Sequence, residues 1–553
     1  MLGLTEKPFY LSKEQEENVR ELVSGMSNQE KIGQLFVVLG DAYSAQELET
    51  LVSEKYIGGV LFRPDETKKV REKYEHLQKM AKYPLFRAAN LEEGGAGVLT
   101  DGTFFASEMQ VAAADDPMIT KEFAAVCAEE GKSVGVNWNF APVVDIDMNF
   151  RNPITNVRTF GSNVDKVREN ACAYVETLQE HGMAAACKHF PGDGVDYRDQ
   201  HLHPSYNSLS AKDWYDTYGS IYQAVINAGV MSIMVGHIVQ PNVIKDINPE
   251  AEEKDFLPGS LSREMLTGVL RQKFGFQGLI ITDATIMGGF TMAMERKKAI
   301  PWAIAAGNDM LCFSTDIYED MQYLQEGLQD GILSEERLNA AVTRVLAMKI
   351  SLNARAQEKQ RDIWQKQYTG NKAKELAADC VGKSITLVKN KGNLIPVSPG
   401  KYQRVRLMVV GDEKLYDGSI TQVAEDCLRG MGFTVETYDP MRDDLHGTSD
   451  LSRDRLNILI LHYPVISNQV TVRPQWCEKH ALEIPRFVHE EKTIAISLAN
   501  PYHLQDIPRV QAYINTYTAT KINLELALRK IASGDYTGHS PVDAFCGLYD
   551  TRL

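Results

Sequence analysis

Short apolar runs alternate with amphipathic segments through the first 320 residues of the chain. Each run has the length and composition of a buried strand, and helical patterns that end in glycine, such as residues 165–182, separate most of the runs. Buried strands that alternate with helices favour parallel pairing. Eight such units over about 320 residues match a (β/α)8 TIM-like barrel in number and length, with an open doubly wound sheet as the alternative at this level. The predicted strands are 33–38, 58–62, 85–91, 136–144, 184–190, 231–237, 278–284 and 309–313.

A second α/β pattern follows residues 335–375, which have the pattern of a helix that becomes highly polar toward its end. Polar segments of this kind are typical of connections between domains. We therefore predict a TIM-like barrel catalytic domain over 1–350, a helical linker over 351–380 and a three-layer α/β/α sandwich domain with a parallel sheet over 381–553. The predicted strands of the sandwich are 384–390, 404–412, 433–439, 456–463, 493–499 and 512–518.

Composition and charge exclude several classes of protein. The formal net charge is −15, so a nucleic-acid partner is not expected. No apolar stretch reaches the roughly 18 residues of a membrane span, and residues 1–17 lack a secretion signal, so we expect a cytoplasmic protein without membrane contact. The eight cysteines form no CxxC pair and are expected to be buried free thiols, so neither a metal nor a redox cofactor is predicted.

Polar residues collect at the ends of five predicted barrel strands. Reactive groups of TIM barrels lie at the carboxyl ends of the strands, where the connecting loops meet. One polar strand end would carry little information, but five predict a convergent polar site. The residues at these strand ends are Asn90, Glu92, Asn137, Asn139, Asp145, Asp147, Lys188, His189, His237, Thr282 and Asp283.

Asp283 is the sharpest single candidate, because it follows three apolar residues and one threonine at the end of a predicted strand. A carboxylate in that position must be hydrogen-bonded, ion-paired or exposed in a cleft. Two interpretations remain open from the pattern alone: a reactive carboxylate, or an aspartate that caps the next helix.

The segment 188–204 is rich in Gly, Asp and His and is predicted to be a loop above the barrel. Asp199 and His201 are two positions apart, and in an extended stretch such residues point to the same side. A carboxylate partner fixes the tautomer of a histidine and raises its basicity, which suits a general acid/base. Metal ligation by His189, His201 and His203 is the weaker alternative, because no metal-site spacing accompanies them.

Arg158 lies in another loop rich in Gly, Pro and Asn, residues 151–162, which follows the fourth predicted strand. A lone loop arginine is usually solvated, but this one falls on the same end of the predicted barrel as the other candidates. The glycine-rich stretches 94–97 and 192–194 lack the strand–GxGxxG–helix context, so a dinucleotide site is not predicted.

Taken together, these segments resemble glycoside hydrolase family 3 and, within it, the β-N-acetylhexosaminidase branch that uses an Asp–His dyad. The resemblance covers residues 1–350, and the second domain is similar to the family's α/β sandwich, though less specifically. The motifs occur in the family's order, at 26–36, 135–146, 152–162, 188–194, 257–284 and 305–311.

The resemblance implies roles for the candidate residues. Asp283 matches the nucleophile that forms a glycosyl-enzyme, His201 the acid/base and Asp199 its partner carboxylate. Residues that hold sugar hydroxyls in the family are matched by Arg158, Lys188 and His189.

The chain departs from the family pattern at the third strand, where the family has an Asp, then Glu-Gly-Gly and an Arg. Asn90 stands near the Asp position, and an apolar or small residue replaces the Arg. In the family, the Asp and the Arg of this motif contact the outer sugar hydroxyls, and Glu92 is the candidate to take over part of that contact. Elsewhere, Asp193 stands where the branch often has His, and Gln200 where Ser is usual.

The predicted function is a retaining glycoside hydrolase that removes terminal non-reducing β-N-acetylhexosamine (GlcNAc) residues from a carbohydrate substrate without a cofactor. A histidine is neutral once deprotonated, so it can act as base beside the nucleophile without adding a second anion. The same property admits phosphate as the acceptor, so a β-N-acetylglucosaminide phosphorylase is one alternative. A β-glucosidase-like enzyme and a non-catalytic sugar-binding relative are the others.

Overall fold

The computed structural model describes residues 3–359, 368–439, 443 and 455–553. The chain divides into two compact units: the first comprises Met1–Phe105, Thr120–Ile146 and Val164–Glu375, and the second comprises Ala106–Ile119, Asp147–Asn163 and Leu376–Leu553. Two short segments inside the predicted barrel region therefore group with the second unit. The domain boundaries predicted at 350 and 381 stay a prediction, and residues 360–367 of the predicted linker lie outside the described residues.

The first unit contains a closed barrel of eight parallel strands in which sequence neighbours pair and the first strand pairs with the last. The predicted TIM-like barrel is therefore confirmed, and the open doubly wound sheet is wrong. The barrel strands are Phe36–Leu39 (β1), Gly59–Leu61 (β2), Phe86–Ala89 (β3), Trp138–Asn139 (β4), Ala184–Phe190 (β5), Ser232–Val235 (β6), Leu279–Ala284 (β7) and Met310–Cys312 (β8).

Strand β4 is much shorter than the predicted strand 136–144. Pro142 has no backbone N–H and cannot donate to a strand ladder, so regular pairing ends before it. Beyond the proline, Val143 forms an isolated parallel bridge with Lys188, and the Val144 N–H donates to the Lys188 carbonyl at 2.7 Å. This irregular pairing brings Asp145 to the end of β5.

The helices bury one apolar face, as their sequences predict. In Val164–Glu180, the buried positions Val167, Ala171, Tyr174 and Leu178 recur every three or four residues. Burying one leucine-sized side chain stabilises the fold by roughly 1.5–3 kcal/mol, so such a stripe fixes the helix on the barrel. The α-helices in chain order are Lys13–Gly25 (α1), Asn28–Gln34 (α2), Ala45–Ser53 (α3), Thr67–Met80 (α4), Glu108–Ala113 (α5), Pro117–Ser133 (α6), Val164–Glu180 (α7), Ala211–Trp214 (α8), Ser220–Asn227 (α9), Pro241–Ile247 (α10), Gly288–Thr291 (α11), Arg296–Ala306 (α12), Ile317–Gln329 (α13), Glu335–Lys359 (α14), Asn371–Ser384 (α15), Ile420–Gly430 (α16), Glu478–Glu490 (α17) and Lys521–Ser533 (α18), and two π-helices span Tyr215–Gly219 and Glu264–Lys273.

In the described part of the chain, no helix combines the length and the hydropathy that crossing a membrane requires.

The second unit contains a six-stranded sheet with apolar clusters on both faces, one around Ile458 and the other around Leu459. This is the predicted three-layer α/β/α sandwich. The prediction of a parallel sheet is wrong at one edge, where β9 pairs antiparallel with β14. The apolar pattern of an edge strand does not encode its direction, and mixed sheets often carry such a strand. The strands are Thr386–Asn390 (β9), Arg404–Gly411 (β10), Thr434–Thr437 (β11), Arg455–His462 (β12), Thr493–Leu498 (β13) and Ala512–Asn515 (β14), in the order β9-β14-β13-β12-β10-β11.

Candidate active site

Asp283 lies at the carboxyl end of β7, after four fully buried residues, and its side chain is 15% exposed. Its Oδ1 accepts a hydrogen bond from the Ala284 N–H at 2.7 Å. The helix-cap interpretation is wrong, because α11 begins at Gly288 with Met287 at its N-cap position. The carboxylate is therefore available at the rim of the barrel.

Three histidines surround the Asp283 carboxylate. Burial by itself raises the pKa of Asp283, but the nearby imidazoles of His189, His237 and His201, together with the Ala284 N–H, outweigh burial and lower the pKa below its ordinary value. The carboxylate is therefore ionised at neutral pH, as a nucleophile must be.

His189 is held by Asp145, which is fully buried at the end of the β4 segment. The His189 Nδ1–H donates to Asp145 Oδ2 at 2.7 Å, and the His189 N–H donates to Asp145 Oδ1 at 3.1 Å. The other ring nitrogen, Nε2, lies 3.9 Å from Asp283 Oδ2. The pair therefore fixes the imidazole with its free nitrogen toward the Asp283 carboxylate.

His201 is paired with Asp199 in the loop after β5. The His201 Nδ1–H donates to Asp199 Oδ1 at 2.6 Å, and the His201 N–H donates to the same oxygen at 2.9 Å. The Asp199 side chain is buried, whereas that of His201 is 25% exposed. The sequence predicted the pair, but the backbone is a turn rather than an extended stretch, because the Leu202 and His203 N–H groups both donate to the Asp199 carbonyl.

Lys188 lies beside His189 on β5, and its side chain is 3% exposed. Its ammonium forms an ion pair with the Glu92 carboxylate and lies 3.4 Å from Asn90 Oδ1. The polar groups of the altered third-strand motif therefore meet Lys188. A buried ion pair of this kind is strongly disturbed when either partner is removed.

His237 lies two residues beyond the end of β6, and its two ring nitrogens contact uncharged groups. Its Nδ1 lies 2.8 Å from Ser260 Oγ and its Nε2 lies 3.0 Å from the Ala284 carbonyl. Burial lowers the pKa of His237 to about 4, so the ring is neutral at neutral pH.

Arg158 and Asp147 belong to the second unit. The Arg158 guanidinium donates to the Ile154 carbonyl at 3.1 Å. Burial raises the pKa of Asp147 to about 6, and its carboxylate accepts hydrogen bonds from Tyr502 at 2.5 Å and Thr155 at 3.1 Å. The sugar contact predicted for Arg158 stays a prediction.

Asp145 and His237 lie at predicted polar strand ends, but the sequence pattern indicates no partner for either residue. The signal that would have found Asp145 is its position one strand before Lys188 and His189, since adjacent barrel strands end side by side. Among the described residues, no three His, Cys, Asp or Glu side chains are grouped as metal ligands. The arrangement offers an ionised carboxylate and an imidazole with a carboxylate partner, which can act as nucleophile and proton carrier.

Comparison with known proteins gives consistent matches. Residues 27–348 match the family model described as glycosyl hydrolase family 3 N terminal domain. The whole chain is 38% identical to a beta-N-acetylglucosaminidase/beta-glucosidase of Cellulomonas fimi, which the match covers in full. It is 28% identical to beta-hexosaminidase A of Pseudoalteromonas piscicida, over 71% of this chain and 70% of that protein. A solved structure of beta-glucoside phosphorylase BglX matches with a TM-score of 0.92 and 41% identity, over 99% of each chain.

Proposed function

The chain belongs to glycoside hydrolase family 3, and on that premise we propose that it is a retaining β-N-acetylhexosaminidase that forms a covalent glycosyl-enzyme on Asp283. One observation carries the proposal. The Asp283 carboxylate ends a buried barrel strand, its pKa is lowered by surrounding imidazoles, and one of these, His201, has its own buried carboxylate partner.

In the first step, an oxygen of Asp283 attacks the anomeric carbon and the bond from that carbon to the leaving oxygen breaks. The His201 imidazolium gives its Nε2 proton to the leaving oxygen. Asp199, hydrogen-bonded to Nδ1, fixes the orientation and the tautomer of the ring. The leaving group departs as a neutral alcohol, and His201 is left neutral.

In the second step, neutral His201 takes a proton from water while the water oxygen attacks the anomeric carbon from the face that the leaving group occupied. The ester bond to Asp283 breaks, and the carboxylate is restored. Two inversions give overall retention of configuration. The acid/base here is an imidazole, so no second carboxylate is needed next to the nucleophile.

The donor sugar that we propose is a terminal β-linked N-acetylglucosamine. Two relatives carry the matching activity in their names, one together with β-glucosidase. We assign the sugar hydroxyls to Lys188 and His189, which line the rim beside Asp283, with Glu92 and Asn90 orienting the ammonium of Lys188.

Intermediate trapping tests the nucleophile and the donor together. Incubation with a slow fluorinated β-glycosyl donor of the glucosamine or the glucose series should add one glycosyl mass to the protein, on the peptide that contains Asp283. Aryl β-glycosides of N-acetylglucosamine, N-acetylgalactosamine and glucose should be cleaved in that order of kcat/KM. A label on a different carboxylate contradicts the mechanism, and a preference for glucose contradicts only the sugar.

Phosphorolysis is a second candidate, because a related protein of 41% identity and nearly equal length is named a beta-glucoside phosphorylase. A neutral His201 can accept a proton from phosphate as readily as from water, and it does not repel the phosphate anion. Turnover should then be compared in phosphate and in sulfate of the same ionic strength. Formation of the β-sugar 1-phosphate, which two inversions require, is seen by phosphorus NMR and supports phosphorolysis, and its absence at saturating phosphate leaves hydrolysis as the reaction.

A further inference from the structure

Gln200 lies between the two members of the Asp199–His201 pair, and its side chain is 1% exposed. Its Nε2–H donates to Asp193 Oδ2 at 3.2 Å, and its Oε1 accepts the His237 N–H at 2.7 Å. Both ends of one buried amide are therefore used, on a loop residue after β5 and on the backbone at the end of β6. A side chain that bridges two other segments in this way restricts the loop that carries it.

The backbone of the same turn is held from a third direction. The Gly288 N–H donates to the His201 carbonyl at 2.8 Å, and the Gly289 N–H donates to the Gln200 carbonyl at 3.1 Å. The approach is too close for a side chain, since a Cβ on Gly288 would lie 2.2 Å from the Leu202 carbonyl oxygen. These glycines follow Asp283 by five and six residues, so the acid/base turn is tied to the segment that follows the nucleophile.

Asp193 links this network to the imidazole of His189. Its N–H donates to Asp145 Oδ1 at 2.8 Å, and Asp145 holds His189. A continuous series of hydrogen bonds therefore runs from the turn at Gln200 through Asp193 and Asp145 to His189. Each of Gln200, Asp193 and Asp145 is at most 2% exposed, so water does not compete for these bonds.

We propose that Gln200 is a positioning residue that holds His201 in place for proton transfer to and from the reacting oxygen. This inference rests on the proposed function, because it takes His201 as the acid/base and Asp283 as the nucleophile. Gln200 acts through the turn that carries His201 and does not touch the sugar. Its loss should weaken the proton-transfer steps and leave nucleophilic attack unchanged.

The dependence of kcat/KM on the leaving group separates these effects, since kcat/KM reports formation of the glycosyl-enzyme. Gln200→Met keeps the side-chain volume and removes both hydrogen bonds. We expect it to lower kcat/KM about 10- to 100-fold for aryl glycosides with poor leaving groups, which need a proton. The 2,4-dinitrophenyl glycoside, which leaves without protonation, should be cleaved within about twofold of the wild-type rate.

Gln179 offers a matched control in the same barrel. It is also a buried glutamine with two hydrogen bonds, from its Nε2–H to the Gly229 carbonyl at 2.8 Å and from the Met231 N–H to its Oε1 at 2.9 Å. These contacts lie before β6, at the opposite end from the site. Gln179→Met should therefore leave the leaving-group dependence unchanged, even where it lowers thermal stability.

The outcomes distinguish a failure of the positioning role of Gln200 from a failure of the proposed function. If His201→Ala shows no steeper leaving-group dependence than the wild type, the assigned acid/base is wrong and the proposed function fails. If His201→Ala is steep while Gln200→Met behaves as the wild type, the positioning role of Gln200 is wrong. An equally steep Gln179→Met also overturns it, because the effect is then one of general destabilisation. Should Gln200→Met not fold, Gln200→Ser, which is too short to reach either partner but leaves room for water, is measured in the same way.

Discussion

The barrel rim contains two carboxylate–imidazole pairs of nearly equal geometry, at two different places in the chain. Asp145 and His189 come from the ends of neighbouring strand segments, and their Nδ1–O distance is 2.7 Å. Asp199 and His201 come from one loop turn, and the distance is 2.6 Å. The side chain of His189 is 7% exposed, whereas that of His201 is 25% exposed.

The comparison shows that the aspartate–histidine hydrogen bond alone does not determine the chemical role of the imidazole. His189 is enclosed, with its second nitrogen toward the Asp283 carboxylate, so it can orient and stabilise but has little access to a proton donor. His201 has the same kind of partner but a more exposed side chain, which suits a group that is proposed to exchange protons with an alcohol and with water.

The largest effect is expected from substitution of Asp283, the proposed nucleophile that both histidines assist. Asp283→Ala should lower kcat for the 4-nitrophenyl β-N-acetylglucosaminide by about 10⁴-fold or more, because the variant lacks the carboxylate that forms the glycosyl-enzyme in the proposed mechanism. Steady-state kinetics measure the loss, and circular dichroism should report an unchanged fold. Turnover near the wild-type rate would contradict the assignment of Asp283 as the nucleophile.

Exchanging each histidine for alanine tests the contrast directly. His201→Ala should lower kcat/KM for poor leaving groups by about 10³-fold, yet spare the 2,4-dinitrophenyl glycoside and respond to added azide, which needs no base. His189→Ala should lose about 10²-fold for good and poor leaving groups alike, because it affects Asp283 and sugar binding. Equal profiles for the two variants would mean that exposure does not separate the roles.

His237 is a third imidazole at the same rim, and it provides a reference for both pairs because its ring nitrogens contact the Ser260 hydroxyl and the Ala284 carbonyl. Its pKa is lowered to about 4 by burial, whereas an unfolded histidine titrates near 6.5. As the pH falls from about 6.5 to about 4, His237 becomes protonated in the unfolded chain but stays largely neutral in the folded protein. The free energy of unfolding therefore falls by about 3 kcal/mol over this range. Above pH 6.5, both states are neutral and the ring has no such effect.

The variant His237→Gln should remove this part of the acid destabilisation. Urea unfolding at pH 7 and pH 4 should therefore show a smaller difference in the variant than in the wild type. A difference that is unchanged by the substitution would mean that His237 is already protonated in the folded barrel.

The smallest expected effect concerns Lys188, which precedes His189 and pairs with Glu92. Glu92→Gln removes the negative charge but keeps the size of the side chain. We expect KM to rise about tenfold with little change in kcat, because the Lys188 ammonium loses its orienting partner while the reacting groups stay in place. Glu93→Gln, at the exposed neighbouring position, is the control. A fall in kcat instead would give Lys188 a part in the chemistry rather than in binding.

The strand pattern predicted most of the fold and much of the site. Eight apolar runs predict the barrel, and the convergence of polar strand ends predicts that Lys188, His189 and Asp283 lie close together. The pairing of Asp199 with His201 was also predicted, since both lie in one short segment and local spacing constrains them. These are inferences from neighbouring residues, where sequence distance and spatial distance agree.

Long-range partners could not be predicted in the same way. Asp145 holds His189 because Val144 pairs with Lys188 across an irregular stretch after Pro142, a register that no local pattern encodes. Two residues further on, Asp147 groups with the second unit and accepts a hydrogen bond from Tyr502. Residues that are close in sequence therefore have different environments.

The sequence by itself therefore determined the barrel, the sandwich and the chemical types of the reactive groups, because strand period and residue chemistry are local properties. Only the tertiary structure decided which carboxylate holds which imidazole, how open each ring is, that β9 runs antiparallel and that Gln200 bridges to Asp193 and His237. Those features depend on which segments come into contact and on what excludes water around them. The physical reason is that burial and hydrogen-bond partners belong to the folded assembly of segments, and residues far apart in the chain supply them.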